Sequence, residues 1–146
     1  AARLVAAYGT PIQTDIEGLT HTFPSPEAML AFYGTIGDHL GPLGITGARA
    51  NTILELARAF LLGTIDFSFC PQPEAELQKL MALPGIGPWT AQYISMRAMG
   101  WTDAFPHTDY GIQKALAPRT SKEILDLAET WRPWRSYATV NLWNSF

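Results

Sequence analysis

A short segment rich in glycine and proline, LPGIGPWTA at residues 83–91, separates two stretches in which apolar residues recur at helical spacing. Before it, Leu77, Leu80 and Met81 follow this spacing, and after it the pattern runs to Gly100, a residue suited to a helix C-terminus. Two helices joined through so short a link form a helix-hairpin-helix. This element constrains the fold more than any other feature of the chain.

The residues of the hairpin suit an anion. Gly85 and Gly87 permit positive φ and lack the side chains that would keep a ligand away from the backbone. Pro88 suits the first turn of a helix, where amide donors are unpaired and the helix dipole is positive. In a non-specific reader of DNA, the anion held there is a backbone phosphate. A tight corner whose glycines serve only the turn is the alternative interpretation of the same spacing.

Helical patterns also dominate the rest of the chain, which predicts an all-α fold with a helix-hairpin-helix motif. No alternating strand pattern of useful length and no internal repeat is found in the sequence, and residues 64–73 are predicted to form a loop. Six further helices are predicted. The first ends before Gly9, the second runs from Ser25-Pro26 to Gly41-Pro42, and the third follows Thr46 and ends before Gly63. The fourth covers Tyr110 to Leu116, the fifth follows a capping box of Thr120 and Glu123, and the sixth begins at Pro133.

Length and composition limit the classes of protein that are possible. The chain has 146 residues, of which 47% are hydrophobic, so we expect one domain over residues 1–146 with a sizeable core. No apolar run reaches membrane-spanning length, and no membrane association is expected. The single cysteine, Cys70, excludes an internal disulfide framework and a four-cysteine iron–sulfur cluster, and we interpret it as a packed thiol. Three scattered histidines follow no metal-ligand spacing, so a zinc site is not expected.

Charge and the start of the chain add two expectations. The net charge of −3 means that any DNA binding is local and modest, because phosphate neutralisation usually requires a basic surface. The first eight residues read as the end of a helix, with no initiator methionine and no signal-peptide pattern. We therefore expect the chain to be a fragment that lacks an N-terminal part.

Three separated segments together carry a family resemblance: LPGIGPWTAQYISMRAMG at 83–100, DAFPHTDYGIQKAL at 103–116 and ETWRPWRSYATVNLW at 129–143. In this order they resemble the helix-hairpin-helix superfamily of DNA glycosylases, within its alkylated-base branch typified by DNA-3-methyladenine glycosylase II. The resemblance implies a monofunctional hydrolase that releases alkylated purines such as 3-methyladenine from double-stranded DNA during base excision repair. It also implies a monomer without a required cofactor, in the bacterial cytoplasm or on the nucleoid.

The resemblance implies that Asp109 is the catalytic carboxylate, since residues 103–110 match the loop that bears the family's catalytic aspartate. The chemistry of the residue agrees with this role. Hydrolysis of an N-glycosidic bond develops positive charge on the sugar, which a carboxylate beside the anomeric carbon can stabilise. As alternatives, Asp109 only caps the helix that follows it, and Asp103 is a weaker catalytic candidate that reads as a loop-forming or solvated carboxylate.

Trp89 stands at the position where strand-cutting members of the superfamily carry a lysine. Such a lysine forms a Schiff base with the sugar, and tryptophan has no nucleophile, so a monofunctional enzyme is implied. Lys79 and Lys114 read as solvated helix surface.

The resemblance also implies an aromatic base pocket of Trp89, Tyr93 and Trp143. Trp89 and Tyr93 lie one turn apart on one helix face. An electron-rich ring attracts a cationic base by about 0.5 to 2 kcal/mol, so a flipped alkylated base gains more than a neutral one. Core packing is the alternative role for these rings, and it is the interpretation given to Trp101, Trp131 and Trp134.

Two backbone sites follow from the resemblance. The amides of Gly85, Gly87 and Trp89 are expected to bind a DNA phosphate. The carbonyls of Met81, Leu83 and Ile86 are expected to hold a monovalent cation, Na⁺ or K⁺, that bridges to a DNA phosphate. Two functions of other classes stay open at this point: a non-catalytic helix-hairpin-helix DNA-binding module, and a helical domain that binds a protein partner.

Overall fold

The computed structural model describes residues 1–68 and 72–145. Cys70 lies outside the described residues, so its interpretation as a packed thiol stays a prediction. Within the described part the chain is helical, with no strand beyond an isolated bridge between Pro11 and His21, which confirms the predicted all-α fold. Its α-helices are α1 (Ala2–Tyr8), α2 (Pro26–Leu30), α3 (Ile36–Leu40), α4 (Gly47–Leu61), α5 (Pro73–Met81), α6 (Pro88–Arg97), α7 (Tyr110–Ala115), α8 (Ser121–Ala128) and α9 (Arg135–Trp143).

Contacts between residues divide the chain into two compact units. The first comprises residues 1–65 and 83–85, and the second comprises residues 66–82 and 86–146. The expectation of a single domain over residues 1–146 concerns folding and stays a prediction. None of the helices in the described part of the chain is long and apolar enough to cross a membrane.

The first unit is built around α4, which packs against α2 and α3. Ala50 and Leu54 of α4 are buried because they repeat at helical spacing on its inner face. They meet Leu40 of α3, which is fully buried, and Leu4 of α1. In the same unit, Gly85 of the hairpin closely approaches Thr52 of α4.

The second unit carries Asp109 and the three predicted pocket rings. Its buried cluster combines Ile112 of α7 and Ile124 of α8 with Phe105, which lies in the segment between α6 and α7. Trp131 meets the ring of Phe105 edge-on, with ring centroids 5.9 Å apart, and therefore packs as the sequence predicted. The core thus holds the segment that leads to Asp109.

Three predicted helix starts are confirmed, two of them by capping bonds. Ser25 Oγ accepts a hydrogen bond from the amide of Ala28 at 3.3 Å. Thr120 and Glu123 form both bonds of a capping box at the start of α8. Thr46 takes the N-cap position of α4, although its side chain makes no capping bond.

Two predicted helices differ from the structure. The single helix expected between Pro26 and Leu40 is divided into α2 and α3, because Gly34 adopts φ +84 and so cannot continue a right-handed helix. The last helix begins at Arg135 and not at Pro133, with Trp134 at the N-cap. In both cases the apolar spacing in the sequence continues past the true helix boundary, so the spacing alone does not show where the helix begins or ends.

Candidate active site

Asp109 lies at the N-cap of α7, as the capping alternative predicted. Its Oδ1 accepts hydrogen bonds from the amides of Gly111 at 2.9 Å and Ile112 at 3.3 Å. Both oxygens also accept bonds that a cap does not need. Trp143 Nε1 donates to Oδ1 at 2.8 Å, and Trp89 Nε1 donates to Oδ2 at 3.0 Å. Four N–H donors therefore converge on one carboxylate.

These donors set the ionisation of Asp109. Burial raises the pKa of the carboxyl group, whereas hydrogen bonds from Trp143, Trp89 and the amides of Ile112 and Gly111 lower it. The hydrogen bonds together outweigh burial, so the pKa lies below the ordinary value for aspartate. At neutral pH the group is a carboxylate held in a fixed direction.

The three predicted pocket rings lie beside one another in the second unit. Trp89 and Tyr93 are stacked, with ring centroids 5.3 Å apart and planes at 19°. Tyr93 and Trp143 are tilted by 40°, with centroids 6.1 Å apart. Because two of these rings also bind Asp109, the aromatic faces and the carboxylate form one site, and Trp89 stays 41% exposed within it.

Trp134 differs from its predicted role in the core. Its side chain is 57% exposed, and its ring meets that of Tyr137 edge-on at 5.7 Å. Trp134 is the N-cap of α9 and lies outside the helix itself. The helical spacing that suggested its burial therefore does not apply to it.

The two hairpin glycines serve different purposes. Gly85 adopts φ +83, and a Cβ there would lie 2.1 Å from Thr52 Oγ1 of α4, so a side chain is excluded. Gly87 has φ −86, so it does not use the positive φ that glycine permits. Apart from Gly87 and its two chain neighbours, no heavy atom of the described chain lies within 4 Å of a Cβ built on Gly87, so the surface there is open to a ligand.

The residues expected to bind phosphate and cation lie in and around this turn. Gly87 is the N-cap of α6, and the amide of Trp89 belongs to its first turn, where helix geometry provides no acceptor. Met81 ends α5, Ile86 is buried, and Leu83 belongs to the first unit. Within the described ranges no group of three or more histidine, cysteine or acidic side chains could hold a metal ion, and the carbonyl site stays a prediction.

Asp103 is buried and not solvated, which corrects one part of its interpretation, and it lies in the turn after α6, as the loop-forming part predicted. Its side chain is buried and accepts a forked pair of bonds from Arg135, with Nε to Oδ1 at 2.7 Å and Nη2 to Oδ2 at 2.9 Å. Arg132 binds the same carboxylate. A buried carboxylate whose charge is balanced by two guanidinium groups is unsuited to stabilise a sugar cation, whereas the donors to Asp109 are all neutral, which leaves Asp109 as the candidate in this segment.

Sequence reasoning missed four polar residues around the site: Gln92, Arg132, Arg135 and Ser136. One signal was present for Arg135, because it shares a helical face with Thr139 and Leu142, four and seven residues further along α9. A charged residue in line with inward-facing residues indicates a buried partner. The two lysines behave as predicted: Lys79 is half-exposed and paired with Glu76 at 2.6 Å, and Lys114 is exposed.

An all-helical fold with a glycine hairpin between α5 and α6, and an aspartate that receives two indole N–H groups beyond it, defines the class: an all-α domain with a helix-hairpin-helix motif. A solved structure, the 3-methyladenine DNA glycosylase from Archaeoglobus fulgidus, matches with a TM-score of 0.80 and 22% identity, over 97% of this chain and 49% of that one. This likeness establishes the fold.

Curated relatives match the chain by sequence. The probable bifunctional transcriptional activator/DNA repair enzyme AlkA of Mycobacterium tuberculosis is 39% identical over 153 residues, covering 99% of this chain and 29% of the relative. DNA-3-methyladenine glycosylase 2 of Escherichia coli is 34% identical over 142 residues, covering 97% of this chain and 49% of the relative. No family model matches the chain.

The chain is homologous to the DNA-3-methyladenine glycosylase 2 and AlkA proteins and has the helix-hairpin-helix glycosylase fold. It spans half or less of the length of these curated relatives.

Proposed function

We propose that this chain is the catalytic domain of a monofunctional DNA glycosylase that hydrolyses the N-glycosidic bond of alkylated purines such as 3-methyladenine. The observation that carries the proposal is the Asp109 carboxylate, ionised by four hydrogen bonds and bordered by aromatic rings. The names of the relatives, which are 3-methyladenine glycosylases and DNA repair enzymes, support the same substrate class.

The carboxylate acts on the sugar. As the bond between C1′ and the base nitrogen breaks, its electron pair leaves with the base and positive charge develops on the sugar. Asp109 stabilises this charge, and water then forms the new C1′–O bond and releases a proton. An alkylated purine is already cationic and leaves as a neutral base, so this substrate class needs no general acid.

The hydrogen bonds at Asp109 suit this role. Trp89 and Trp143 donate to the oxygens of the carboxylate and fix its direction before the substrate arrives. Preorganised charge costs no reorganisation when the reaction occurs, which is the basis of strong electrostatic catalysis. The low pKa keeps the group ionised across the physiological pH range.

The aromatic rings supply selectivity for damaged bases. The exposed faces of Trp89 and Tyr93 and the half-buried ring of Trp143 can receive a base that has flipped out of the duplex. A cationic base is attracted to these faces more strongly than a neutral one. Weakened stacking of the lesion assists flipping, so a detailed hydrogen-bond code is not needed.

Double-stranded DNA containing damaged bases is the proposed partner, held by phosphate contacts at the hairpin amides of Gly85, Gly87 and Trp89. The proposed setting is the bacterial cytoplasm or the nucleoid, where the protein acts as a monomer without a required cofactor. The strand stays intact during the reaction, because tryptophan at position 89 cannot form a Schiff base.

Release of free base tests the proposal. The protein is incubated with duplex DNA that contains 7-methylguanine or 3-methyladenine, and chromatography detects free base, with Asp109→Asn as the control. The expected result is released base with a strand that breaks only after alkali. Binding of duplex without release, equal in protein and control, would indicate the non-catalytic DNA-binding module. Failure to bind DNA even at low salt would indicate the protein-interaction domain.

A further inference from the structure

The segment that ends at Asp109 is held near its beginning by hydrogen bonds to its main-chain carbonyl groups. Ser136, in the first turn of α9, has its Oγ within hydrogen-bonding distance of two carbonyl oxygens, at 2.7 Å from Trp101 O and 2.9 Å from Ala104 O. The amide of Ser136 donates to Thr102 O at 2.8 Å. The first turn of α9 therefore fixes the backbone of residues 101–104.

A buried ion pair reinforces this attachment. Asp103 and Arg135 are each more than nine-tenths buried and meet through two parallel hydrogen bonds. A forked pair fixes orientation as well as distance, because the guanidinium is planar and rigid. Glu129 accepts from Arg132 Nε at 2.7 Å and from Arg135 Nη1 at 3.3 Å, which holds the guanidinium from its outer side.

Helix α6 holds the same segment one residue further along. The amide of Phe105 donates to Gln92 Oε1 at 2.9 Å. Phe105 is buried, so its amide requires an acceptor inside the protein. Gln92 lies three residues after Trp89 on the same helix, and is therefore adjacent to the indole that binds Asp109.

The same two helices hold both ends of the segment. At its beginning, α9 binds through Arg135 and α6 binds through Gln92. At its end, α9 binds Asp109 through Trp143, and α6 binds it through Trp89. The position of the segment between the two helices therefore determines whether both indole N–H groups can reach the carboxylate at once.

We propose that Gln92 and Arg135 are positioning residues that fix residues 101–109 so that both oxygens of Asp109 receive an indole N–H. The assignment rests on the proposed function in one respect, that Asp109 is the catalytic carboxylate. Neither residue touches the reacting atoms. Both act through the geometry of the segment.

The test measures the ionisation of Asp109 directly. Nitrogen–proton correlation spectra of the free protein follow the indole N–H resonances of Trp89 and Trp143 against pH, assigned with Trp89→Phe and Trp143→Phe. Gln92→Met removes the acceptor, and Arg135→Lys keeps the charge but removes the fork. The matched controls are Gln78→Met on α5 and Arg97→Lys on α6, both at exposed residues.

All four variants conserve charge, so a shifted titration reports geometry. Other titratable or charged side chains lie on or beside the elements that border Asp109. They are unchanged in Gln92→Met and keep their charge in every variant. They are Tyr93 and Arg97 on α6, His107 before Asp109, Tyr110 and Lys114 on α7, and Tyr137 on α9.

We expect the midpoint of the indole titrations to rise by about 0.5 to 1 pH unit in Gln92→Met and Arg135→Lys, since weaker hydrogen bonds favour the ionised carboxylate less. The controls should match the parent. Single-turnover base release should fall by about tenfold to a hundredfold, as expected for a misplaced group. Affinity for undamaged duplex should not change.

A lower melting temperature, with unchanged midpoints of the indole titrations and an unchanged rate of base release, would show that the hydrogen bonds of Gln92 and Arg135 serve stability alone. That result would overturn the proposal. Gln92→Met removes a single hydrogen bond, so it carries the test if Arg135→Lys does not fold. A parent protein that releases no base would refute the proposed function, whereas the midpoints would still decide the positioning role.

Discussion

At the scale of single residues, Asp109 caps a helix and is also the proposed catalytic carboxylate, two roles that sequence reasoning treated as alternatives. Its Oδ1 caps α7, and both oxygens also face the indoles of Trp89 and Trp143. The cap fixes the carboxylate close to the backbone, and the indoles fix its direction and ionisation. A carboxylate that caps a helix can therefore remain available for chemistry.

Asp109→Asn tests the charge. Asparagine keeps the size of the side chain and is a good N-cap, so the fold should persist. Loss of the charge should cost at least about 3 kcal/mol in the single-turnover rate of base release, the scale of one strong electrostatic stabiliser. Duplex affinity should stay level or rise as a negative charge leaves. Near-normal release by the variant would remove Asp109 from the catalytic role.

The pH dependence of the reaction should reflect the indole donors. Because the pKa of Asp109 is lowered on folding, its contribution to stability is present above the ordinary aspartate pKa and is lost as pH falls through the folded-state value. Trp143→Phe removes one donor, so the acidic limb of the rate profile should move to higher pH. Tyr93→Phe serves as the control, since its ring is not among the donors to Asp109. Equal profiles for both variants would contradict this assignment.

The structure also shows which ring should be replaced to test selectivity. Replacement of Trp143 removes both a ring and a hydrogen bond to Asp109, whereas Tyr93→Leu removes a ring and leaves both indoles. Tyr93→Leu should reduce release of cationic 7-methylguanine about tenfold more than release of neutral hypoxanthine, because 1.4 kcal/mol corresponds to one decade in rate. Single-turnover rates measure the ratio. Equal losses would mean that the ring acts through shape.

At the scale of structural elements, the hairpin divides its two glycines between packing and access. Gly85 is required by its left-handed backbone and by its approach to Thr52 of α4. Gly87 has ordinary backbone angles and open space above it. Only Gly87 can therefore be replaced without disturbing the turn, and it is the position that reports on ligand approach.

Gly87→Leu should lower affinity for damaged and undamaged duplex alike, because a side chain there keeps a phosphate away from the amides and phosphate contacts carry no sequence information. Fluorescence anisotropy with labelled duplexes measures the loss, and circular dichroism checks the fold. Gly37→Leu, on α3 and also in open space, is the matched control. Unaltered affinity in an intact Gly87→Leu protein would mean that the hairpin is only a turn.

At the scale of the whole molecule, the net charge of −3 limits how DNA can be bound. A protein with a broad basic face neutralises many phosphates and loses affinity steeply with salt. An acidic chain whose proposed contacts are amides of one hairpin neutralises few. Its binding should therefore depend on salt in proportion to a small number of phosphates.

Raising monovalent salt from about 50 to about 200 mM should reduce the affinity for undamaged duplex only about ten- to fortyfold, as expected for two or three phosphates at a slope of about −0.9 for each. Anisotropy titrations at several salt concentrations give the slope. A thousandfold loss would reveal an extended basic surface that the net charge conceals.

The sequence by itself determined the local structure. The capping box of Thr120 and Glu123, the N-cap at Ser25 and the hairpin before Pro88 involve residues within a few positions of one another, so their chemistry is visible in the chain. The motif that contains Asp109 could also be read directly. At Gly34 two local signals conflicted, because glycine favours a break whereas the apolar residues around it keep helical spacing. The apolar spacing concealed the end of a helix there.

Only the tertiary structure decided which side chains meet. Trp89 and Trp143 reach Asp109 across 20 and 34 residues of chain, and Arg135 reaches Asp103 across 32. Such pairings depend on how helices pack and on the direction in which each side chain leaves its helix, and neither is encoded in local spacing. The sequence therefore predicted the carboxylate, and the packing of α6 and α9 determined its hydrogen bonds and its pKa.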